Sequence, residues 1–298
     1  MSKLLNLEIK KSIFSKAFLL GLVLLSIFAV ISGVLMINEY GGKNPQQLYE
    51  HCMENGKYLY NPDFPLFSFF NAWVGGETTT VAYTLFFTIM PVCTAIPFAW
   101  SYHNESKNSY IINVATRINI RKYFIAKAIA VFVSGALVVF LAFALNILIV
   151  SAFIPYCQPW AGYNFYNLVY FDTMWSDLFF SNPYLHMLLF ISLNTLYGGI
   201  FALLSYVTSF YVKKYVVILF APFLTMILAG YLENVIYNNI FRDSMYFVEF
   251  VPTQFLHSRS TIYQVMSWSV ATTTLLLVGF IFTVSYTHLR AHETGRNL

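Results

Sequence analysis

Residues 101–127 read SYHNESKNSYIINVATRINIRKYFIAK, an island of charge between two long apolar runs. The island holds Glu105, Lys107, Arg117, Arg121, Lys122 and Lys127. Around it the 298-residue chain is 58% hydrophobic, 19% aromatic and only 10% charged. A soluble domain carries about 25% charged residues, so this chain has too few to cover its own surface in water. The composition therefore predicts an all-α integral membrane protein with the lipid bilayer as its solvent. A net charge of +4 is modest. Collection of Lys and Arg on one side of a bilayer explains it, and no nucleic-acid partner is expected.

A bilayer core needs about 20 mostly apolar residues per helix. Six runs meet that requirement: Ala17–Ile37, Thr79–Trp100, Ala128–Ile154, Leu185–Val212, Tyr215–Ile236 and Ile262–Tyr286. Only Lys213 and Lys214 separate the fourth run from the fifth, which predicts a tight helical hairpin. Pro91, Pro97 and Pro222 are expected to kink their helices, because proline lacks the N–H that closes an α-helical turn.

Orientation follows from the basic residues. One side of the membrane would hold the N-terminus, the 101–127 island, the Lys213–Lys214 turn and the tail. Of the 17 basic residues, only Lys43, Lys57, Arg242 and Arg259 then lie on the other side. Acidic residues run the opposite way, with only Glu8, Glu105 and Glu293 on the basic side. Both termini are thus expected in the cytoplasm of a multi-pass protein of the cell membrane. Trp73, Trp100, Trp160, Trp175 and Trp268 fall near the predicted span ends, as an aromatic belt would.

Residues 1–16 carry Leu4, Leu5, Ile9 and Ile13 near one helical face, with Lys3, Lys10, Lys11 and Lys16 at its edges or opposite. That pattern predicts an amphipathic helix in the membrane interface. A signal peptide is the rival reading, but the apolar run that follows is too long for one. Residues 17–286 form the six-helix domain, with outer segments 38–78, 155–184 and 233–261. The last of these is too apolar for a free loop and is expected to contain short helices dipping back toward the membrane. Residues 287–298 (THLRAHETGRNL) break sharply from the preceding apolar run and resemble sequencing-adapter read-through, a non-native tail.

Much familiar chemistry is missing. His288 and His292 stand at i, i+4, but no HExxH occurs and no metal site is expected. There is no GxxxxGK[ST] phosphate loop and no GxSxG elbow. Cys93 sits in an apolar run, while Cys52 and Cys157 both fall outside and are either a disulfide or two separate thiols. The middle of the spans carries no charged group of the kind that ion-coupled carriers place there. Asn146 and Asn194 are the mid-span polar residues. They serve either as helix-to-helix hydrogen bonders or as a polar patch along a substrate path.

The whole arrangement resembles the ABC-2 type permeases, the membrane subunits of bacterial ABC transporters. An interfacial basic helix, six spans, a charged connection after the second span and a semi-apolar segment before the sixth carry the resemblance. Local features are similar too: Glu105 with the small Ser109 four residues on, the Thr116–Arg117 pair, then Tyr123 and Lys127 opening the third span. The chain departs from the family at Ser109, where Gly is common, and at Val114–Ala115, where Pro is. The resemblance implies a permease, itself no enzyme and without a cofactor of its own, driven by a separate ATP-binding subunit. It would form a homodimer or a heterodimer with a related permease. Residues 101–127 would couple the two subunit types, with Glu105, Lys107, Tyr110 and Arg117 as contacts. The alternatives are a membrane sensor or scaffold without transport activity, and an ion-coupled secondary carrier.

Overall fold

The computed structural model describes residues 2–40, 68–77, 79–107, 111, 114, 116, 118–156, 158–159, 169, 173–240, 248–258 and 265–294. Cys52, Cys157, Tyr110 and Arg117 lie outside these residues, as do most of segment 38–78 and residues 160–168 and 170–172 of segment 155–184. Backbone N–H and C=O groups in an apolar setting must be satisfied within their own segment, and helices do this. The described residues accordingly form helices and no strand: α1 (Ser2–Ile13), α2 (Lys16–Tyr40), α3 (Phe69–Ala72), α4 (Val81–Ala95), α5 (Ser101–Lys107), α6 (Ile120–Phe153), α7 (Ser176–Ser181), α8 (Pro183–Thr208), α9 (Tyr215–Asn239), α10 (Pro252–Phe255) and α11 (Ser267–Thr294).

Five of these, α2, α6, α8, α9 and α11, are long and apolar enough to cross a membrane. The chain is therefore a multi-pass, all-helical membrane protein. The expected second span is the exception. Helix α4 has 15 residues, about 22 Å at 1.5 Å per residue, and gives way to turns before α5 begins at Ser101. Pro91 lies inside α4, and Pro97 has no N–H to donate to the carbonyl of Cys93 four residues earlier. That carbonyl faces α2 at Gly21, where an added Cβ would come within 2.8 Å of it.

Helix α6 is the spine. It packs most extensively on α8 and on α2. The α6–α8 crossing is close because Gly135 and Gly198 face each other. A Cβ at Gly198 would sit 2.6 Å from Val139 Cγ2, and one at Gly135 would sit 2.7 Å from the Gly198 carbonyl oxygen. Small residues that let backbones approach are how apolar helices associate when lipid is the solvent. Helix α6 also begins at Ile120, earlier than the apolar run predicted, so Lys127 belongs to the helix rather than to the loop before it. The basic turn after α8 spans residues 209–214, and α9 starts at Tyr215.

At the end of the bundle away from α1, two stretches of turns around the four-residue helices α3 and α10 insert among the long helices. Residues 68–77 are buried throughout, and Trp73 is 1% exposed, packed on Phe143 in the main core. Trp73 is therefore a core residue and not part of an interfacial belt. Residues 251–258, with α10, bring Phe255 and Leu256 into the same core. The two stretches touch: both the amide and the hydroxyl of Ser258 donate to the Gly75 carbonyl, at 2.9 and 2.8 Å. Irregular backbone at this depth is stable only when surrounded by protein. Asn146 and Asn194 provide that surrounding. Asn146 Nδ2 donates to the Ala29 carbonyl at 2.7 Å, and its Oδ1 accepts from the Val74 amide at 2.8 Å. Asn194 Nδ2 donates to the Leu256 carbonyl at 2.6 Å.

Candidate functional site

The end of the bundle that carries α1 holds a set of charges, buried except for the exposed Lys11. Its centre is Glu105 on α5, 8% exposed although it lies in the most polar stretch of the chain. Lys11 Nζ on α1 donates to Glu105 Oε1 at 2.5 Å. Lys127 Nζ and the Tyr123 hydroxyl, both on α6, donate to Oε2. Tyr123 and Lys127 are four residues apart, one helical turn, so they stand on one face of α6, and their polar atoms are 3.1 Å apart. The Phe98 ring lies 5.2 Å from Lys127 Nζ and 5.8 Å from Lys11 Nζ, a cation–π floor for both ammonium groups.

Glu8 of α1 completes the set. It is 2% exposed, and its Oε2 has no hydrogen-bond partner among the described residues. Burial raises its pKa, against the pull of Lys127 and Lys11. Glu105 differs. Burial pushes its pKa up too, but the Lys127 charge and the hydrogen bonds from Lys11, Lys127 and Tyr123 outweigh that and hold it below the usual carboxylate value. Two carboxylates of similar burial thus differ in partners, and the partners set the direction of each shift.

This arrangement ties three elements together. Helix α1, the polar segment at α5 and the start of the longest helix meet at one carboxylate. A buried charge with its partners in place resists relative movement, because separation leaves an ion without solvent or counter-charge. Ile111 and Val114, farther along the polar segment, pack on a neighbouring cluster that includes Phe98, Tyr102, Tyr123 and Tyr206. The polar segment is therefore seated on the bundle by both charge and apolar contact.

Of the contacts the sequence suggested, Lys107 is exposed on α5. Two residues on from Glu105, it points about 200° around the helix from the buried carboxylate. Glu105 faces inward, and Tyr110 and Arg117 lie outside the described residues. Asn146 and Asn194 are fully buried and belong to the opposite part of the molecule, where they hold the inserted stretches. No group of three or more His, Cys, Asp or Glu side chains that suits a metal ion occurs among the described residues. Sequence reasoning missed Glu8, Lys11, Tyr123 and Lys127 as one cluster. A signal was present: lysine in the apolar stretch FIAKAIAVF (residues 124–132) needs a buried carboxylate, and Glu8 and Glu105 are two of the three acidic residues expected at that end. In comparisons with known proteins, no family model, no curated protein and no solved structure matches this chain.

Proposed function

We propose that the chain is the permease subunit of an ATP-driven transporter, an exporter, worked by a separate ATP-binding subunit seated on residues 101–127. The observation that carries this reading is the Glu105 cluster, which fastens that polar segment to α1 and α6 through Lys11, Lys127 and Tyr123. A soluble motor can move a membrane bundle only through a stiff, polar element that is attached to a long helix, because its closure must be transmitted as displacement. Glu105 then acts as a positioning residue, and Lys107, exposed on α5, meets the partner. In this reading both termini and the 101–127 segment face the cytoplasm, α4 completes a sixth pass in the plasma membrane, and two permease chains pair.

The test is affinity purification from the source cells' membranes with ATP hydrolysis measured in the eluate. Wild-type protein should bring down an ATPase, Lys107→Glu should lose at least about tenfold of it while remaining folded, and Glu105→Gln should lose it as well. An eluate without ATP hydrolysis, or one unchanged by Lys107→Glu, overturns the proposal. A membrane scaffold would use the same platform but would recover a partner that hydrolyses no ATP.

A further inference from the structure

Helix α1 has apolar residues on two faces, and the bundle covers only one. Ile9 and Ile13, from the face that the sequence marks as apolar, pack on the Tyr123 cluster and on the main core. Leu4 and Leu5 beside them are half-buried. The opposite face carries Lys3, Leu7, Lys10 and Phe14, all exposed. Their spacing places them within about 60° of one another, at about 100° per residue. Phe14 follows the last helical residue but keeps the pattern, because its amide donates to the Lys10 carbonyl at 3.0 Å. Leu7 is 57% exposed and Phe14 85%, so the stripe alternates ammonium groups with uncovered apolar side chains. Glu8, the one acidic residue of 2–16, is turned inward. Lys3, Lys10 and Lys16 have no carboxylate partner among the described residues.

From this stripe we infer that the outer face of α1 is a binding surface for anionic phospholipid, with Lys3, Lys10 and Lys16 on headgroup phosphates and Leu7 and Phe14 among the upper acyl carbons. The depth follows from the neighbouring helices. Lys16 opens α2, a span of 24 residues, and only Phe14 and Ser15 separate it from α1. Farther along, Leu19, Leu20 and Leu24 of α2 are exposed on a bundle whose solvent is lipid, so Phe14 lies at the edge of the hydrocarbon. Helix α1 rests mainly on α6. At 34 residues, α6 is about 51 Å long and outreaches a hydrocarbon core of about 30 Å. Its first turns, with Tyr123 and Lys127, therefore rise to headgroup level. Charge then chooses the lipid. A zwitterionic headgroup brings its own cation to the lysines, whereas an anionic one leaves a phosphate uncompensated. Basic residues at a membrane surface attract acidic lipid in this way, and burial of apolar side chains adds to the binding of an interfacial helix. Lysine is depleted at protein–protein interfaces, which ranks a protein occupant below lipid. The same helix gives Lys11 to Glu105, so α1 would join the lipid surface to the Glu105 cluster. Lipid binding here is independent of whether an ATPase docks on residues 101–127.

The experiment places a fluorescent probe in the stripe. The full chain carrying Phe14→Trp is reconstituted in vesicles of phosphatidylglycerol mixed equally with phosphatidylcholine. One lipid or the other carries brominated acyl chains, which quench tryptophan on contact. The signal of position 14 is the difference from wild type, whose five tryptophans lie elsewhere. Brominated phosphatidylglycerol should compete for the probe more strongly than brominated phosphatidylcholine, by roughly fivefold for each lysine that contributes. Combining Lys3→Gln, Lys10→Gln and Lys16→Gln should abolish that preference yet leave quenching by either lipid. Leu7→Trp is a second probe position, in case Phe14→Trp does not fold. Equal quenching by the two lipids overturns the inference, as does an unchanged preference in the triple variant. A probe that neither brominated lipid reaches overturns it as well: access to aqueous iodide would place the stripe in water, and shielding from iodide would mark a covering protein.

Discussion

The ammonium of Lys127, two turns into α6, meets the carboxylate of Glu105 on α5, twenty-two residues earlier in the chain. Lys127 is 0% exposed, so neither water nor a surface counter-ion replaces Glu105 if it is lost. Removing one partner of a buried ion pair typically costs about 3–5 kcal/mol, whereas replacing both with apolar residues costs far less. Lys127→Met and Glu105→Gln should each lower thermal stability in detergent by an amount of that order. The double variant should fall short of the sum of the two by at least about 1 kcal/mol, the signature of coupled residues. Additive losses would show that the pair does not interact.

The two carboxylates of the cluster should show opposite pH behaviour. Glu105 has a folded-state pKa below its ordinary value of 4.5. Its stabilisation is present above that value and is lost as pH falls through the folded pKa. Glu8 has a folded-state pKa above 4.5, so its ionisation costs stability as pH rises from 4.5 toward that folded value. Melting curves across the acid to neutral range check both. Glu105→Gln should be much less stable than wild type at neutral pH and approach it at acid pH. Glu8→Gln should gain on wild type as pH rises above 4.5. A Glu8→Gln difference that stays flat across this range would show that Glu8 does not titrate there.

The long helices were legible in the sequence because apolar length alone dictates them. The α8–α9 hairpin was legible from Lys213 and Lys214. Helix α4 was not, because Pro91 and Pro97 suggested kinks in a long helix, and a kink and a termination have the same local chemistry. The site was half legible. Glu105 stood out by its charge, but its inward direction follows from Lys11 and Lys127, residues remote from it in sequence. Trp73 misled for a related reason: residues 68–77 (SFFNAWVGGE) are aromatic and small, a composition that suits an interfacial loop and an inserted one equally. The hydrogen bond from the Val74 amide to Asn146 distinguishes them, and no local pattern announces it.

That contact yields a prediction of its own. Asn146→Leu roughly keeps side-chain volume but leaves the Val74 amide without its acceptor. An unsatisfied buried donor costs about 1–3 kcal/mol. The loss should be local, so amide exchange should accelerate across residues 68–77 and remain unchanged in α9. Asn194→Leu should do the same at residues 251–258, whose Leu256 carbonyl it releases. Because Ser258 holds Gly75 directly, each variant should also loosen the other stretch, to a smaller extent. Exchange confined to one stretch would mean that the Ser258–Gly75 contact transmits nothing.

The α6–α8 crossing offers a test of packing with an internal control. Gly198 has no room for a side chain: a Cβ there would come 2.6 Å from Val139 Cγ2 and 3.1 Å from the Gly135 carbonyl. Gly198→Val must push α8 away from the spine, and overpacking of this kind costs about 1–3 kcal/mol. Gly230 on α9 has nothing within 4 Å of that position, so Gly230→Ala meets no obstacle and gains helix propensity of about 1 kcal/mol at most. Thermal denaturation should therefore rank Gly230→Ala at or above wild type and Gly198→Val well below it. Val139→Ala should rescue part of the Gly198→Val loss, because it removes the methyl groups that the new side chain strikes. If Val139→Ala instead adds its own loss to that of Gly198→Val, the two helices are not in contact at this crossing.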